Sequence, residues 1–257
     1  MPPLAHIRHG SGPPLVLVHG YLGGSAMWHA QVERFAADFD VIAPDLPGFG
    51  ESRDLAPHDS IDAIAAHVLA FLSDLGIERF TLLGHSMGGM VVQQMAADAP
   101  ERIAKLVCYG TGPVGVLPGR FETIEQSRAR LARDGVAATA RMIAATWFRA
   151  GEDGPGFDIC EKLGKHVSME TALASLTAWE RWNGRPGLAR ITAETLVLWG
   201  DRDRSYDWSQ PEALWRGIAR SSLAVIPGCA HNVHMEKPDL FDAVLADFLA
   251  GEPTPTP

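Results

Sequence analysis

The chain has 257 residues, 46% of them hydrophobic and 21% charged, and its 22 Lys and Arg against 31 Asp and Glu give a net charge of -9. These values are typical of a globular protein with one large domain or two small ones, and the acidity argues against a nucleic acid partner. No apolar stretch approaches the roughly 20 residues that cross a bilayer, so a membrane partner is not expected either.

Short apolar runs separated by helical patterns dominate the chain. Because the runs are continuous rather than alternating, they indicate strands that are buried on both faces. Amphipathic helices are predicted at 28–37, 60–75 and 239–249. This order predicts an α/β fold with a mostly parallel, doubly wound sheet. The predicted strands are Leu15–Val18, Val41–Ala43, Thr81–Leu83, Lys105–Cys108, Thr195–Trp199 and Leu223–Ile226.

The segment 114–190 interrupts this alternation. It lacks a strong strand pattern, and helices are predicted at 121–133, 136–148, 157–165 and 169–181. We interpret it as a helical cap inserted into a core formed by residues 1–113 and 191–257, over the sheet edge where such folds bind ligands. Its 11 Lys and Arg against 9 Asp and Glu contrast with the acidic remainder of the chain. The Pro-rich end, 252–257, is expected to be extended or disordered.

The most informative motif is Gly84-His85-Ser86-Met87-Gly88-Gly89, which follows a predicted strand and precedes a helical pattern. A serine flanked by glycines at such a corner is typical of a nucleophile elbow, where bulk at the flanking positions would clash. The helix N-terminus that follows favours the negative charge of acyl transfer. Ser86 is therefore the predicted nucleophile.

A serine hydroxyl needs a base, and the base needs an acid that orients it. Two acids, Asp201 and Asp203, follow the strand 195–199, and His231 follows the strand 223–226. Each candidate leaves a parallel strand at the same edge as Ser86. His234 competes with His231 as the base, and from the residues alone both Asp201 and Asp203 remain candidates for the acid.

Two backbone N–H groups are predicted to form an oxyanion hole. One belongs to Met87, at the start of the helix. The other belongs to Tyr21, in the loop that follows the first core strand, where Gly20 lets the chain turn inward. His19 is expected to hold this loop through hydrogen bonds, and His85 is expected to pack beneath the elbow.

The assembled motifs resemble those of the α/β-hydrolase fold superfamily, in its capped branch. The resemblance implies Ser86 as nucleophile, Asp203 rather than Asp201 as acid, and His231 rather than His234 as base. Because few residues precede the first core strand, an antiparallel edge strand is expected to be missing, leaving six or seven strands. The matching pieces are Leu17-Val18-His19-Gly20, Asp45–Ser52, Gly84–Gly89, Gly200–Asp203, Gly228–His231 and Met235–Pro238.

Aromatic and basic residues of the cap are candidates for the substrate pocket, together with His234. The residues predicted to line it are Trp147, Arg149, Trp179, Trp182 and His234, and Arg181 and Arg185 are further cations that could bind a substrate carboxylate. Neither the ten histidines nor the three cysteines, Cys108, Cys160 and Cys229, show metal-site spacing, so no metal or other cofactor is expected. The sequence does not indicate an oligomeric state.

The N-terminal residues show neither a basic n-region nor an apolar h-region, so a cytoplasmic location is expected. The first functional hypothesis is hydrolysis of a small or medium-sized carboxylic ester or lactone through an acyl-enzyme. An alternative is hydrolysis of a carbon–carbon bond in a ring-cleavage product, a vinylogous 1,5-diketone, by the same triad. The resemblance implies Asn more often than His at position 85 in that group. A third hypothesis is a noncatalytic ligand receptor on the same fold.

Overall fold

A computed structural model of the protein describes residues 1–251, and the predicted extended end at 252–257 lies outside the described residues. The strands are β1 (His6–His9), β2 (Pro14–Val18), β3 (Asp40–Pro44), β4 (Phe80–His85), β5 (Ile103–Tyr109), β6 (Glu194–Gly200) and β7 (Ser221–Ile226). The helices are α1 (His29–Phe35), α2 (Ile61–Asp74), α3 (Met87–Asp98), α4 (Ile124–Thr146), α5 (Phe157–Lys165), α6 (Met169–Arg181), α7 (Ser209–Gly217), α8 (Val233–Glu236) and α9 (Pro238–Ala250).

The seven strands form one sheet in the order β1-β3-β2-β4-β5-β6-β7. Strands β2 to β7 run parallel to one another, and each contains one of the six predicted apolar runs. The prediction of a mostly parallel, doubly wound sheet is therefore confirmed. The parallel arrangement brings the carboxyl ends of β2, β4, β6 and β7 to a single edge, and this edge carries the candidate site.

The expected absence of an antiparallel edge strand is wrong. Strand β1 pairs antiparallel with β3, with His6 opposite Pro44 and His9 opposite Val41. The sequence gives little sign of β1 because three of its four residues are exposed. An ion pair reinforces the pairing, since the Arg8 guanidinium donates two hydrogen bonds to Asp40, at 2.9 and 2.7 Å. The total of seven strands lies within the expected range.

Two apolar cores cover the two faces of the sheet. Val16 and Val18 of β2 pack in the core with α2 and α3, whereas Leu15 and Leu17 pack in the opposite core with α1 and α9. Alternate residues of a strand point to opposite faces, so a strand buried on both sides needs a continuous apolar run. Among the described residues, no helix is long and apolar enough to span a membrane.

Helices α4, α5 and α6 lie between β5 and β6, where the sequence predicts a helical insertion. A capping box begins α4, because Thr123 and Gln126 each accept a backbone hydrogen bond from the other. Gly135, with φ 76° and ψ 173°, interrupts α4 between the two helices predicted at 121–133 and 136–148. We call the segment 114–190 the insertion; its limits as a separate domain stay a prediction.

Candidate active site

Ser86 lies at the corner between β4 and α3 in a conformation that is unusual for a residue with a side chain. Its φ of 58° and ψ of -120° carry a strain of about 1–3 kcal/mol. The surrounding backbone maintains this conformation: Ser86 N–H donates to the carbonyl of Tyr109 at 3.0 Å, and the Thr111 hydroxyl donates to the Ser86 carbonyl at 2.8 Å. The corner lifts the Ser86 side chain above the carboxyl end of β4.

The glycines around Ser86 allow the chain to pack more closely than side chains would permit. A Cβ on Gly84 would lie 2.3 Å from the carbonyl oxygen of Gly88, and a Cβ on Gly88 would lie 2.3 Å from that of Val18. A Cβ on Gly89 would lie 2.4 Å from Thr111. The motif therefore needs glycine on both sides because α3 starts directly against β2 and β4.

The loop after β2 passes directly beside Ser86. A Cβ on Gly20 would lie 2.8 Å from the Ser86 Cβ. His19 holds the loop, since its Nδ1–H donates to the carbonyl of Gly20 at 2.8 Å while its Nε2 accepts from Leu46 N–H at 3.0 Å. Within residues 1–251, neither the Tyr21 nor the Met87 backbone N–H donates a hydrogen bond, so both are available to a ligand.

His231 and Asp203 form a buried pair at the same sheet edge. His231 Nδ1–H donates to Asp203 Oδ2 at 2.8 Å, and the two side chains are 1% and 0% exposed. The other oxygen, Asp203 Oδ1, accepts from the backbone N–H groups of Ser205 at 2.7 Å and Tyr206 at 3.1 Å. These bonds fix the carboxylate, and its contact with Nδ1 leaves His231 Nε2 on the side of the ring that faces away from Asp203.

Asp201, the competing acid, has a different role. Its Oδ1 accepts from the backbone N–H of Gly228 at 2.5 Å and so ties the loop after β6 to the loop after β7. It therefore stabilises a neighbouring loop rather than orienting His231. Asp203 is the acid that reaches His231.

A layer of buried rings supports His231 from below. The His85 ring lies 4.4 Å from the His231 ring, and His85 Nε2 lies 3.2 Å from the His231 carbonyl oxygen. His234 Nδ1 lies 2.9 Å from the Tyr109 hydroxyl. Burial, reinforced by the neighbouring histidines, lowers the pKa of His85 well below its usual value and that of His234 to about 3. Both rings are therefore neutral at neutral pH.

A narrow cavity lies beside Ser86, between the sheet edge and the insertion, and a second cavity shares Tyr21, Ser86 and Trp147 with it and is also bounded by Gly20 and His231. Each has a volume of about 10 Å³, room for about one water molecule, so the insertion closes tightly over Ser86. The first cavity is lined by Tyr21, Ser86, Leu117, Arg120, Phe121, Ile143, Trp147, Trp179, Ser205 and Tyr206.

Of the five residues predicted to line a substrate pocket, the structure brings Trp147 and Trp179 to this cavity. Arg149 lies on the surface, where it bonds to Gly228 and Glu236, because the insertion turns outward after Trp147. Trp182 donates to Gln94 on α3, and His234 lies under the elbow, held by Tyr109. The structure thus does not bring Arg149, Trp182 or His234 to the cavity at Ser86.

Six residues of the cavity lining were not predicted from the sequence, and two of them, Tyr206 and Arg120, place polar groups near Ser86. Tyr206 stacks on His231, with ring centroids 5.6 Å apart and planes 10° apart, and Arg120 extends into the cavity from the loop before α4. The position of Tyr206, three residues after Asp203, is a signal that could have found it. Arg120 gives no such signal, since it lies in a segment without a regular pattern. Arg181, a predicted cation, pairs with Asp59 at the surface instead.

No group of three or more His, Cys, Asp or Glu side chains in the described part of the chain is arranged to hold a metal ion. The same part of the chain does bring together a strained serine, a histidine paired with a carboxylate, and two backbone N–H groups without protein partners at one sheet edge.

The alpha/beta hydrolase fold family matches residues 13–238, and the chain belongs to this family. The resemblance inferred from the motifs is thereby confirmed.

Two relatives and one solved structure show the range of similar proteins. The chain is 32% identical over 248 residues to a 2-hydroxy-6-oxononadienedioate/2-hydroxy-6-oxononatrienedioate hydrolase of Burkholderia vietnamiensis, covering 91% of this chain and 86% of that protein. It is 27% identical over 263 residues to a 2-hydroxy-6-oxo-6-phenylhexa-2,4-dienoate hydrolase of Comamonas testosteroni, with 93% and 88% covered. A thermophilic esterase from Thermogutta terrifontis superposes with a TM-score of 0.85 at 28% identity, with 96% and 92% covered. These similarities support an enzyme of the hydrolase class.

Proposed function

We propose that the protein is a serine hydrolase that cleaves a small or medium-sized carboxylic ester or lactone through an acyl-enzyme on Ser86. The observation that carries the proposal is the buried hydrogen bond of 2.8 Å between His231 and Asp203, which lies at the same sheet edge as the strained Ser86. A base oriented by a carboxylate beside a serine is what nucleophilic catalysis by a hydroxyl requires.

In the proposed mechanism His231 Nε2 takes the proton of the Ser86 hydroxyl as its oxygen attacks the substrate carbonyl. His231 then gives this proton to the leaving alcohol, and the acyl group remains on Ser86. Next, His231 takes a proton from water as the water oxygen attacks the acyl-enzyme, and it returns that proton to the Ser86 oxygen as the acyl–oxygen bond breaks and the acid is released. Asp203 stabilises the imidazolium that forms in each half-reaction.

The negative charge on the carbonyl oxygen is assigned to the backbone N–H groups of Tyr21 and Met87. Both groups are free of protein partners within the described residues, and Gly20 brings the first of them next to Ser86. Removal of one such donor typically lowers the rate by about 10²–10³.

The substrate is proposed to be small because the insertion leaves only narrow cavities, of about 10 Å³ each, beside Ser86. Their walls are mostly aromatic and aliphatic, with Trp147 common to both. Such walls fit the apolar part of a small ester and exclude a polymer.

A second candidate is hydrolysis of a carbon–carbon bond in a ring-cleavage product, a vinylogous 1,5-diketone, by the same three side chains. Two relatives act, by name, on 2-hydroxy-6-oxo-dienoates, at 27% and 32% identity. His85 weighs against this candidate, because it stands where the resemblance implies Asn in that group. Incubation with a coloured dienoate of this type separates the two candidates directly. Loss of its absorbance would favour hydrolysis of the carbon–carbon bond.

Labelling with a serine-directed phosphonate tests the proposed nucleophile. The intact mass should rise by one adduct, and peptide mapping should place it on Ser86. The Ser86→Ala variant should remain unlabelled, whereas Ser25→Ala, which alters another buried serine, should label normally. A folded protein that forms no adduct on Ser86 would refute the proposal.

Turnover distinguishes an enzyme from a noncatalytic receptor on the same fold. Short-chain 4-nitrophenyl esters should be hydrolysed by the protein and by Ser25→Ala, and hydrolysis should disappear in Ser86→Ala. Residual hydrolysis that is equal in all three proteins would indicate background reactivity, and the receptor hypothesis would then gain support.

A further inference from the structure

Arg120 places a guanidinium in the wall of the cavity that contains Ser86, without a carboxylate partner. Its Nη1 donates to the carbonyl of Glu122 at 2.7 Å and to the Ser127 hydroxyl at 3.1 Å. The guanidinium carbon also lies 4.4 Å from the ring centre of Phe121 and 5.3 Å from that of Trp179. Within residues 1–251, Arg120 has no ion pair, and its Nε and Nη2 donate no hydrogen bond.

The neighbouring carboxylate, Glu122, is already committed to other groups. Its Oε1 accepts from the Ser127 hydroxyl at 2.6 Å, and its Oε2 accepts from Arg130 Nε at 3.1 Å. Burial lowers the pKa of Arg120, and Glu122 opposes this only in part. An arginine remains charged at any physiological pH, so its positive charge is compensated only in part in a low-dielectric wall.

Most basic residues of the insertion do have carboxylate partners. The exposed pairs include Arg128 with Glu180 at 3.0 Å and Arg181 with Asp59 at 2.8 Å. Arg149, which has no such partner, is exposed and bonds to a carbonyl. Arg120 differs from these residues because its cation lies in the wall of the cavity beside Ser86. Water and salt ions screen a buried charge less than an exposed one.

Three buried donors lie near Arg120, and within the described residues none of them makes a hydrogen bond of normal geometry to the protein. They are the hydroxyls of Tyr21 and Tyr206 and the indole Nε1 of Trp179, and all three residues line the cavity. Burial raises the pKa of both phenols above their usual value, and the charge of Arg120 opposes this rise. The phenols are thus neutral donors at neutral pH. Buried donors without acceptors are rare in native proteins, and a ligand with acceptor oxygens would satisfy them.

Tyr206 connects this group of donors to the reacting serine. Its ring is 1% exposed and stacks on His231, and its hydroxyl lies close enough to the Ser86 hydroxyl to be affected by it. An anion held between Arg120 and Tyr206 would therefore lie within a small molecule's length of Ser86. Arg120, Tyr206 and Ser86 line the same cavity, so a substrate of a few carbons would span the distance from the anion to Ser86.

We propose that Arg120 and the Tyr206 hydroxyl bind a carboxylate of the substrate, so that the enzyme acts on esters or lactones that carry a second, ionised acid group. This inference rests on the proposed role of Ser86 and names the class of substrate for that site. Trp179 Nε1 and the Tyr21 hydroxyl complete the set of donors on the same side of the cavity.

Two matched pairs of esters test the proposal, one for each side of Ser86. Monoethyl glutarate is compared with ethyl 5-methylhexanoate, in which an isopropyl group replaces the carboxylate. The acetate ester of 4-hydroxybutanoate is compared with 4-methylpentyl acetate in the same way. Acid release is followed in a pH-stat. We expect kcat/KM for the ionised ester to exceed that of its neutral partner by about 10- to 100-fold in at least one pair.

Two variants assign this preference to the named residues. Arg120→Met should lower the ratio of the two kcat/KM values to about 1, and Tyr206→Phe should lower it by a smaller factor, about 3- to 10-fold. Arg149→Met, which removes a surface arginine of the same insertion, should leave the ratio unchanged. A ratio near 1 in the wild-type protein, or a high ratio that survives Arg120→Met, overturns the inference.

Binding to Ser86→Ala separates this inference from the proposed function. The same four compounds are titrated calorimetrically into Ser86→Ala and into Ser86→Ala with Arg120→Met. Tighter binding of an ionised ester that depends on Arg120, without turnover by the wild type, would refute the ester-hydrolase function and support the anion site. Turnover of neutral esters, with no preference for the ionised ester in binding or in rate, would support the ester-hydrolase function and refute the anion site.

Discussion

Asp203 accepts a hydrogen bond of 2.8 Å from His231 Nδ1, and no solvent reaches either side chain in appreciable amount. The carboxylate is fixed by two further backbone N–H groups. A pair held so firmly selects one tautomer of the imidazole, the one whose Nε2 can accept a proton.

Replacement of Asp203 by Asn should lower kcat for a short-chain ester by about 10³–10⁴, because the amide favours the wrong tautomer of His231. Asp201→Asn is a matched control, since Asp201 lies two residues away and binds the backbone of Gly228 instead. Asp201→Asn should keep kcat within a few-fold of the wild-type value. Steady-state kinetics and a circular dichroism melt of each variant provide the measurement, and equal losses in both variants would contradict the assignment.

Gly20→Ala should impair activity far more than stability. The added Cβ would lie 2.8 Å from the Ser86 Cβ and 3.4 Å from its Oγ, so the loop that carries Tyr21 N–H must move away. We expect kcat to fall by about 10² or more, as for the loss of one oxyanion donor. Phosphonate labelling and thermal melts should accompany the kinetics. An active Gly20→Ala enzyme would show that this loop does not contribute to the oxyanion hole.

Gly84→Ala should destabilise the fold. Its Cβ would lie 2.3 Å from the Gly88 carbonyl oxygen and 2.4 Å from Val92. Relief of this clash requires the backbone of α3 to move, which would disrupt the corner at Ser86. The free energy of unfolding should fall by about 2–3 kcal/mol. Urea denaturation measures it, with Gly251→Ala as the control, because a Cβ there meets atoms only at 3.6 Å and beyond. Equal stability of the two variants would be inconsistent with the packing described.

The buried histidines should make stability depend on pH below neutrality. Burial lowers the pKa of His85 well below 6.5 and that of His234 to about 3. Between about pH 3 and 6.5 the unfolded chain therefore binds protons that the folded protein excludes, and stability falls as the pH falls through this window. Each histidine contributes a slope of up to about 1.4 kcal/mol per pH unit.

Urea denaturation at pH 7.5 and at pH 5.0 measures this slope. The variant His234→Asn should show a smaller loss between the two values than the wild-type protein, because one excluded proton has been removed. His166→Asn serves as a control, since His166 is exposed at the end of α5 and should leave the slope unchanged. A slope that is the same in all three proteins would contradict the role of His234.

Much of the fold and of the elbow could be predicted because local sequence governs both. Apolar runs such as Leu15–Val18 mark strands buried on both faces, and the glycines around Ser86 mark a corner that tolerates no side chains. Strand β1 could not be predicted in this way. Its pairing depends on the edge of β3 and on an ion pair with Asp40, which lies more than thirty residues further along the chain.

The sequence by itself determined the parallel sheet, the strained corner at Ser86 and the candidates that follow β6 and β7. Periodicity and glycine spacing act within a few residues, so a single chain shows them. Only the tertiary structure decided that Asp203 rather than Asp201 reaches His231, and that Arg120 rather than Arg149 faces the cavity. Such contacts join residues far apart in the chain, and the packing of the insertion against the sheet edge sets their distances and their burial.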